Sequence, residues 1–207
     1  MTAPPCGTCG ACCRELLVPV NGYDVWRISR QLNLQPKEYI VALKRKKNQE
    51  GGIKLSTDGE SVSLALAKKT EMRPGNSCVF LLEFKNNESR CAVYSNRPST
   101  CRVYPMVYRK GIVTNHEEAL CPETEWLKTR EMELIWKEEM EQRALQDQLY
   151  KNVVDTWNQK FLVSRKLHRY TIEEFYDYLI ALYDTFGFGE AFEPDRVKSI
   201  ISNSFSS

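Results

Sequence analysis

Four of the chain's eight cysteines fall within eight residues, Cys6-Gly7-Thr8-Cys9-Gly10-Ala11-Cys12-Cys13. The other four, Cys78, Cys91, Cys101 and Cys121, are scattered downstream. Thiols packed so densely beside two glycines make a poor core segment and a poor geometry for disulfides. A thiolate is the soft ligand for zinc or for iron–sulfur clusters. The stretch therefore predicts a loop that carries half of a metal core, with Gly7 and Gly10 where the backbone needs a positive φ. The fold has to deliver the other half.

Spacing narrows the chemistry. Cys6-x2-Cys9-x2-Cys12 sets three thiolates on one tight loop, at intervals similar to those that hold a [4Fe–4S] cluster in bacterial ferredoxins. There the fourth cysteine follows three residues on and precedes a proline. Here Cys13 is adjacent and Cys121-Pro122 is remote. Neighbouring side chains diverge, so Cys12 and Cys13 are not expected to close one mononuclear site together. One of them serves a second site or a bridge. Zinc is the competing occupant, held by four ligands in a tetrahedron and commonly by two closely spaced Cys pairs. Cys6 and Cys9 make one such pair, but Cys78, Cys91 and Cys101 lie too far apart to make the second. A zinc ribbon is disfavoured, two four-thiolate sites remain open by count, and the reading leans to an iron–sulfur cluster, [4Fe–4S], over zinc.

Composition bounds the setting. Hydrophobic residues make up 42% and charged residues 27%, which suits a soluble globular chain. The longest apolar runs are short, such as Val79 to Leu82, and none approaches the roughly 20 residues that span a bilayer. Met1 to Pro5 carry no basic region and no apolar stretch, so a targeting segment is not expected. A cytoplasmic location is expected, where reducing conditions favour thiolates over disulfides. Residues 1–120 hold 18 Lys and Arg against 11 Asp and Glu, and residues 121–207 hold 11 against 16. Opposed surfaces explain that asymmetry better than nucleic-acid binding, which shows denser basic clustering.

Patterning predicts the elements. Arg14 to Val20 reads as a short strand. Asp24 is the expected N-cap of a helix to about Leu32, with Val25, Ile28 and Leu32 on one face. Pro36 opens a second helical segment with Tyr39, Ile40 and Leu43 inward. Ile53 to Leu55 and Ser61 to Ala67 read as a hairpin about Asp58-Gly59. Arg73 to Asn76 reads as a turn. Cys78 to Leu82 and Cys91 to Tyr94 read as a second strand pair that bends near Asn86-Asn87. A helical turn should carry Cys101, and Val103 to Val113 runs extended with a turn at Lys110-Gly111. A long helix is expected from Cys121-Pro122-Glu123 past Phe161, with Leu145, Leu149, Val153, Trp157 and Phe161 as its apolar stripe. Thr171 and Glu174 form a capping box, with Tyr170 and Phe175 as a hydrophobic staple, for a helix that stops at Gly187. Pro194 opens a last one.

The ordered motif Cys6-x2-Cys9-x2-Cys12-Cys13-Arg14 resembles the signature of the CxxCxxCC cysteine-cluster family, the YkgJ-like proteins. The second half is similar too: Cys78-Val79-Phe80-Leu81, then Cys91-Ala92-Val93-Tyr94-x2-Arg97-Pro98-x2-Cys101-Arg102-x-Tyr104-Pro105. The resemblance covers about residues 6–121 and implies a zinc- or iron-chelating domain. It extends to the cysteine region of flagellin lysine N-methylases, where an iron–sulfur cluster is thought to be held. It does not carry methyl transfer across, because no glycine-rich strand-turn-helix for the usual methyl donor is present.

Arg14, Arg97 and Arg102 lie within or beside the cysteine segments. They are expected to offset thiolate charge around a metal, or to orient an anion. Tyr94, Tyr104 and Tyr108 read as core or strand residues. Of the two histidines, only His116 lies near a cysteine, and His168 reads as a surface residue. No catalytic set, P-loop or dinucleotide fingerprint is present, so no catalytic residue is assigned. The expected architecture is α+β and helix-rich. A compact cysteine-cluster domain with short antiparallel strands fills residues 1–121, and a C-terminal helical extension fills 122–207. The expected function is metal binding through all eight cysteines, with a redox or protein-modification-related role following only from an open site. The alternatives are a zinc-stabilised interaction module that docks a protein partner through its helical region, or metal storage and delivery.

Overall fold

A computed structural model describes residues 6, 8–46, 51–57, 59, 61–69, 76–85, 88–109, 111–121, 129–163, 169–189 and 192–204. The protein is α+β and helix-rich, about half helical, with its strands in short antiparallel pairs. The chain forms two compact units that interleave along the sequence. One comprises Met1–Val20 and Leu66–Arg143, the other Asn21–Ala65 and Ala144–Ser207. The expected division at residue 121 is a single cut along the chain.

The first unit holds all eight cysteines. Its helix α1 (Ala11–Glu15) starts after Gly10, which is left-handed at φ 72°. The expected strand from Arg14 therefore begins as helix, and the extended run shortens to Leu16–Val20. The reason lies downstream in sequence: Lys68 Nζ reaches the carbonyls of Cys13 and Arg14, both at 3.1 Å. A cation at the last turn satisfies acceptors that a one-turn helix leaves open. The extended run is held by Leu66 N–H to the Val18 carbonyl and by the Thr100 hydroxyl to the Pro19 carbonyl, each 2.9 Å.

Strands β3 (Leu81–Glu83) and β4 (Ser89–Cys91) pair antiparallel, with Leu81 opposite Cys91. Cys78 precedes its strand, and Cys91 closes its strand instead of opening it. Cys101 lies within α3 (Ser99–Val103), as expected. Strands β5 (Met106–Arg109) and β6 (Ile112–Asn115) make a hairpin with Gly111 at φ 84°. Met106 and Trp136 form a small core against which Val113, Ala119, Cys121, Met132 and Met140 pack.

In the second unit, α2 (Gly22–Leu32) is capped by Asn21, not by Asp24. The Asn21 side chain accepts from Asp24 N–H at 3.0 Å and Asp24 Oδ2 accepts from Asn21 N–H at 3.4 Å. Asp24 serves as the third residue of a capping box, so both residues satisfy a backbone donor. The segment after Pro36 is only one 3-10 turn, Pro36–Glu38. Then β1 (Ile40–Lys44) pairs with β2 (Val62–Leu66). A short apolar run does not distinguish helix from strand, and the pairing partner decided it. With β2 so engaged, the expected hairpin reduces to one antiparallel bridge, Ile53 to Val62.

Helix α4 (Arg130–Val163) runs 34 residues. Its expected start at Pro122 lies outside the described residues, as do Gly7, Asp58, Arg73 to Gly75, Asn86-Asn87, Lys110 and His168. Leu149, Val153, Trp157 and Phe161 are buried, and Trp157 meets Phe175 and Tyr178 at ring separations of 5.2 Å. The indole N–H of Trp157 donates to the Lys54 carbonyl at 2.7 Å. Helix α5 (Ile172–Thr185) has the Thr171/Glu174 capping box and ends before Gly187 at φ 60°. Helix α6 (Pro194–Ser204) follows. Among the described residues no helix is long and apolar enough to cross a membrane.

Candidate metal centre

Every cysteine is a free thiol, and seven are half-buried while Cys78 is buried. The N-terminal loop is pinned by its backbone. Cys6 N–H donates to the Tyr94 hydroxyl at 3.0 Å, Thr8 N–H to Cys6 Sγ at 3.4 Å, and Arg14 Nη1 to the Cys9 carbonyl at 3.0 Å. Gly10 must be glycine here. A Cβ would stand 2.9 Å from both Arg14 Nη1 and Ser89 Oγ, at a positive φ.

Cys13 and Cys78 are joined through their backbones, Cys78 N–H donating to the Cys13 carbonyl at 2.7 Å. The Cys78 carbonyl accepts from Leu81 N–H at 3.0 Å, and Leu81 faces Cys91. The turn and the hairpin thus carry Cys78 and Cys91 to one end. Cys121 packs on the Met106–Trp136 cluster, and the neighbouring Leu120 N–H donates to the Tyr104 hydroxyl at 2.6 Å.

The thiols act on one another. A hydrogen bond to Cys121 is the main cause that pushes the Cys12 thiol up to about 12. A hydrogen bond to Cys12, then burial, drives Cys13 far above the thiol range, against the opposing charges of Lys68 and Arg14. Burial pushes Cys91 up to about 11, with Cys13 and Cys78 adding to it and Arg97 opposing it. Burial also raises Cys78, which Lys68 and Lys69 oppose. Cys101 is raised well above its ordinary value by burial and then by Cys13, Cys78, Cys12 and Cys91. Cys6 adds to the rise of Cys12, and Cys9 with Cys121 and Cys12 to that of the Tyr104 phenol. Each of the eight cysteines takes part in at least one of these interactions.

The donor set fits a thiophilic metal. Eight free thiols in one unit supply soft ligands in number, and Lys68, Lys69, Arg14 and Arg97 offset charge on ionised sulfur. Among the described residues no three His, Cys, Asp or Glu side chains already stand as a coordinating group. Closing a site thus requires side-chain rotation about Cα–Cβ and the displacement of thiol protons. The N-terminal run meets the downstream segments through the Cys78 N–H bond to the Cys13 carbonyl and the Arg14 contacts with Glu83 and Ser89.

The chain's stretch 5–123 matches the CxxCxxCC family model, described as "Putative zinc- or iron-chelating domain". The chain belongs to the CxxCxxCC family. The matched stretch takes in all eight cysteines and more than half of the chain. No curated protein matches the chain, and no solved structure does.

The three arginines have different partners. Arg14 Nε meets Glu83 at 3.0 Å, and Arg14 Nη2 donates to Ser89 Oγ at 2.7 Å. Arg97 lies 4.4 Å from the centre of the Tyr94 ring. Arg102 pairs with Glu139 at 3.3 Å, both side chains only 11% exposed. His116 is exposed, and its Nδ1 accepts from Glu118 N–H at 3.2 Å within a local turn. Tyr108 is a strand residue of β5 with an exposed ring, whereas Tyr94 is exposed in a 3-10 turn, which corrects its expected core or strand role. The Tyr94 and Tyr104 hydroxyls instead anchor the backbones of Cys6 and Leu120. Lys68 and Lys69 escaped the sequence reading because nothing in their local spacing links them to cysteines. They act through the Lys68–Cys78 bridge, a tertiary contact.

Proposed function

We propose that the protein holds iron or zinc through Cys6, Cys9, Cys12, Cys13, Cys78, Cys91, Cys101 and Cys121, with Arg14, Arg97 and Arg102 around the ligands. The observation that carries this reading is the gathering of eight free thiols, from both halves of the motif, in one unit beside cationic side chains. The preferred occupant is an iron–sulfur cluster, [4Fe–4S], because the Cys-x2-Cys-x2-Cys run suits it. The bound group would supply electron transfer or structural cross-linking. This chain's residues supply thiolates and compensating charge. A reducing, cytoplasmic setting belongs to the same reading.

Residues 1–121 are read as the metal module. Residues 122–207 are read as a helical extension, available to a protein partner outside the buried Leu149–Phe161 stripe. Oxygen-free purification from the native host tests the reading. A brown protein with broad visible absorption and acid-labile sulfide supports the cluster. A colourless protein with stoichiometric zinc replaces it with a structural zinc site, which chelators should unfold. A chain without either metal refutes metal binding.

A further inference from the structure

We propose that Trp157, Tyr178 and Tyr170 form an aromatic cage for a quaternary ammonium solute, and that Lys160 of the same chain occupies the cage while that solute is absent. All four residues belong to the second unit, which holds no cysteine, so the site is independent of the metal reading.

An ammonium group already marks the seat. Lys160 Nζ stands 4.1 Å from the centre of the Trp157 ring, 4.2 Å from that of Tyr178 and 6.0 Å from that of Tyr170. Trp157 and Lys160 are neighbours on one face of α4, three residues apart. Tyr178 comes from α5, and Tyr170 precedes its cap. The Trp157 ring lies 5.1 Å from Tyr170 and 5.2 Å from Tyr178, tilted by 58° and 44°. Its N–H is bonded to the Lys54 carbonyl, which fixes the indole in place. Ring faces attract a cation through their quadrupoles, and Trp does so most strongly.

Lys160 is a poor occupant of this seat. A lysine ammonium has three N–H donors, and among the described residues Lys160 has no hydrogen-bond or ion-pair partner for them. The rings displace water without replacing its hydrogen bonds. Burial lowers the Lys160 ammonium from its ordinary value, against the opposing charge of Glu174. A quaternary ammonium carries the same charge and has no donor to strand, so it loses less on entry. Lys160 is exposed, and its four-carbon stem lets the amine swing out to water. Tyr178 also borders a cavity of about 530 Å³ with Thr156, Leu182, Phe186 and Arg196. Thr156 lies one turn before Lys160 on the same face of α4, so this cavity adjoins the cage and takes the body of the ligand. Trp157 is only 1% exposed. A free solute enters such a recess, and a headgroup held in a bilayer does not.

The test adds choline to the full chain and follows Lys160 by brief amine acetylation and mass spectrometry of the digest. Choline should raise Lys160 labelling, because it turns the amine out into water. An uncharged tert-butyl isostere of choline should not. Labelling that stays unchanged with millimolar choline overturns the proposal, as does an equal effect of the isostere. Calorimetry then compares variants. Lys160→Ala empties the cage and should bind choline roughly fivefold more tightly than the parent, the worth of about one cation–π contact. Tyr178→Leu should weaken binding by a similar factor. A Lys160→Ala protein with unchanged far-ultraviolet dichroism that binds choline no better than the parent also overturns the cage. If a variant fails to fold, the labelling of the unaltered chain decides. Phosphatidylcholine vesicles should leave Lys160 labelling unchanged. A rise equal to that with free choline would make the ligand a membrane surface and overturn the proposal of a solute site.

Discussion

Replacing Glu139 by Ala should cost far more than a surface ion pair would. Glu139 lies on α4 and faces Arg102, the residue after Cys101, at 3.3 Å, with both side chains 11% exposed. Among the described residues Arg102 Nε and Nη2 have no hydrogen-bond partner, so the pair is held by charge proximity and not by a bidentate fork. Removing the carboxylate leaves a guanidinium in a nearly dry site. Breaking a buried pair in this way costs about 3–5 kcal/mol. For a chain of this size that lowers Tm by roughly 6–20 °C.

The matched double variant Arg102→Met/Glu139→Leu removes both charges and keeps the volume. It should recover most of the loss, because replacing a buried pair with apolar groups is often neutral or better. Urea denaturation followed by circular dichroism, with metal content measured in parallel, reads both variants. A Glu139→Ala protein within about 1 kcal/mol of the parent, below the surface-pair limit, would refute the reasoning. So would a double variant as unstable as the single one.

Gly10→Ala should cost about 1–3 kcal/mol and lower metal content, since it strains a left-handed position and displaces the Arg14–Ser89 contact. Thermal unfolding and elemental analysis measure both effects. Trp157→Ala should cost about 3–5 kcal/mol in denaturant unfolding, because the ring is 1% exposed among Phe175, Tyr178 and Tyr170. Asp184 bonds to Arg30 and Trp26, which hold its carboxyl below the usual range. Its contribution is therefore present above about pH 4 and fades as pH falls through the depressed value. Asp184→Asn should lose stability near neutrality and converge with the parent in acid, as Tm against pH would record. The side chain is 41% exposed, so the effect is small.

Several elements were legible because local chemistry decides them. The Thr171/Glu174 capping box, the helix stop at Gly187 and the burial of Leu149, Val153, Trp157 and Phe161 each follow from residue spacing alone. The misreadings cluster where partners lie far along the chain. Arg14 reads as strand but is helical, because Lys68 donates to the carbonyls that a one-turn helix leaves open. Ile40 to Leu43 reads as helix but is strand, because β2 is its partner. Asp24 and Asn21 are both competent caps, and the reciprocal bonds between them settled which one ends the chain's extended run.

For the Cys6–Cys13 stretch, the sequence by itself determined the donor chemistry, the family motif and the need for outside ligands. Thiol count and spacing are local properties that no fold can change. Tertiary structure decided which later segments the stretch meets, through the Cys13–Cys78 backbone bond and the Leu81–Cys91 register. It also decided that Arg102 faces a buried carboxylate, while Lys68 joins the thiols. Charge partners act over a few ångströms in space, and those distances are set by strand pairing and helix packing across many tens of residues.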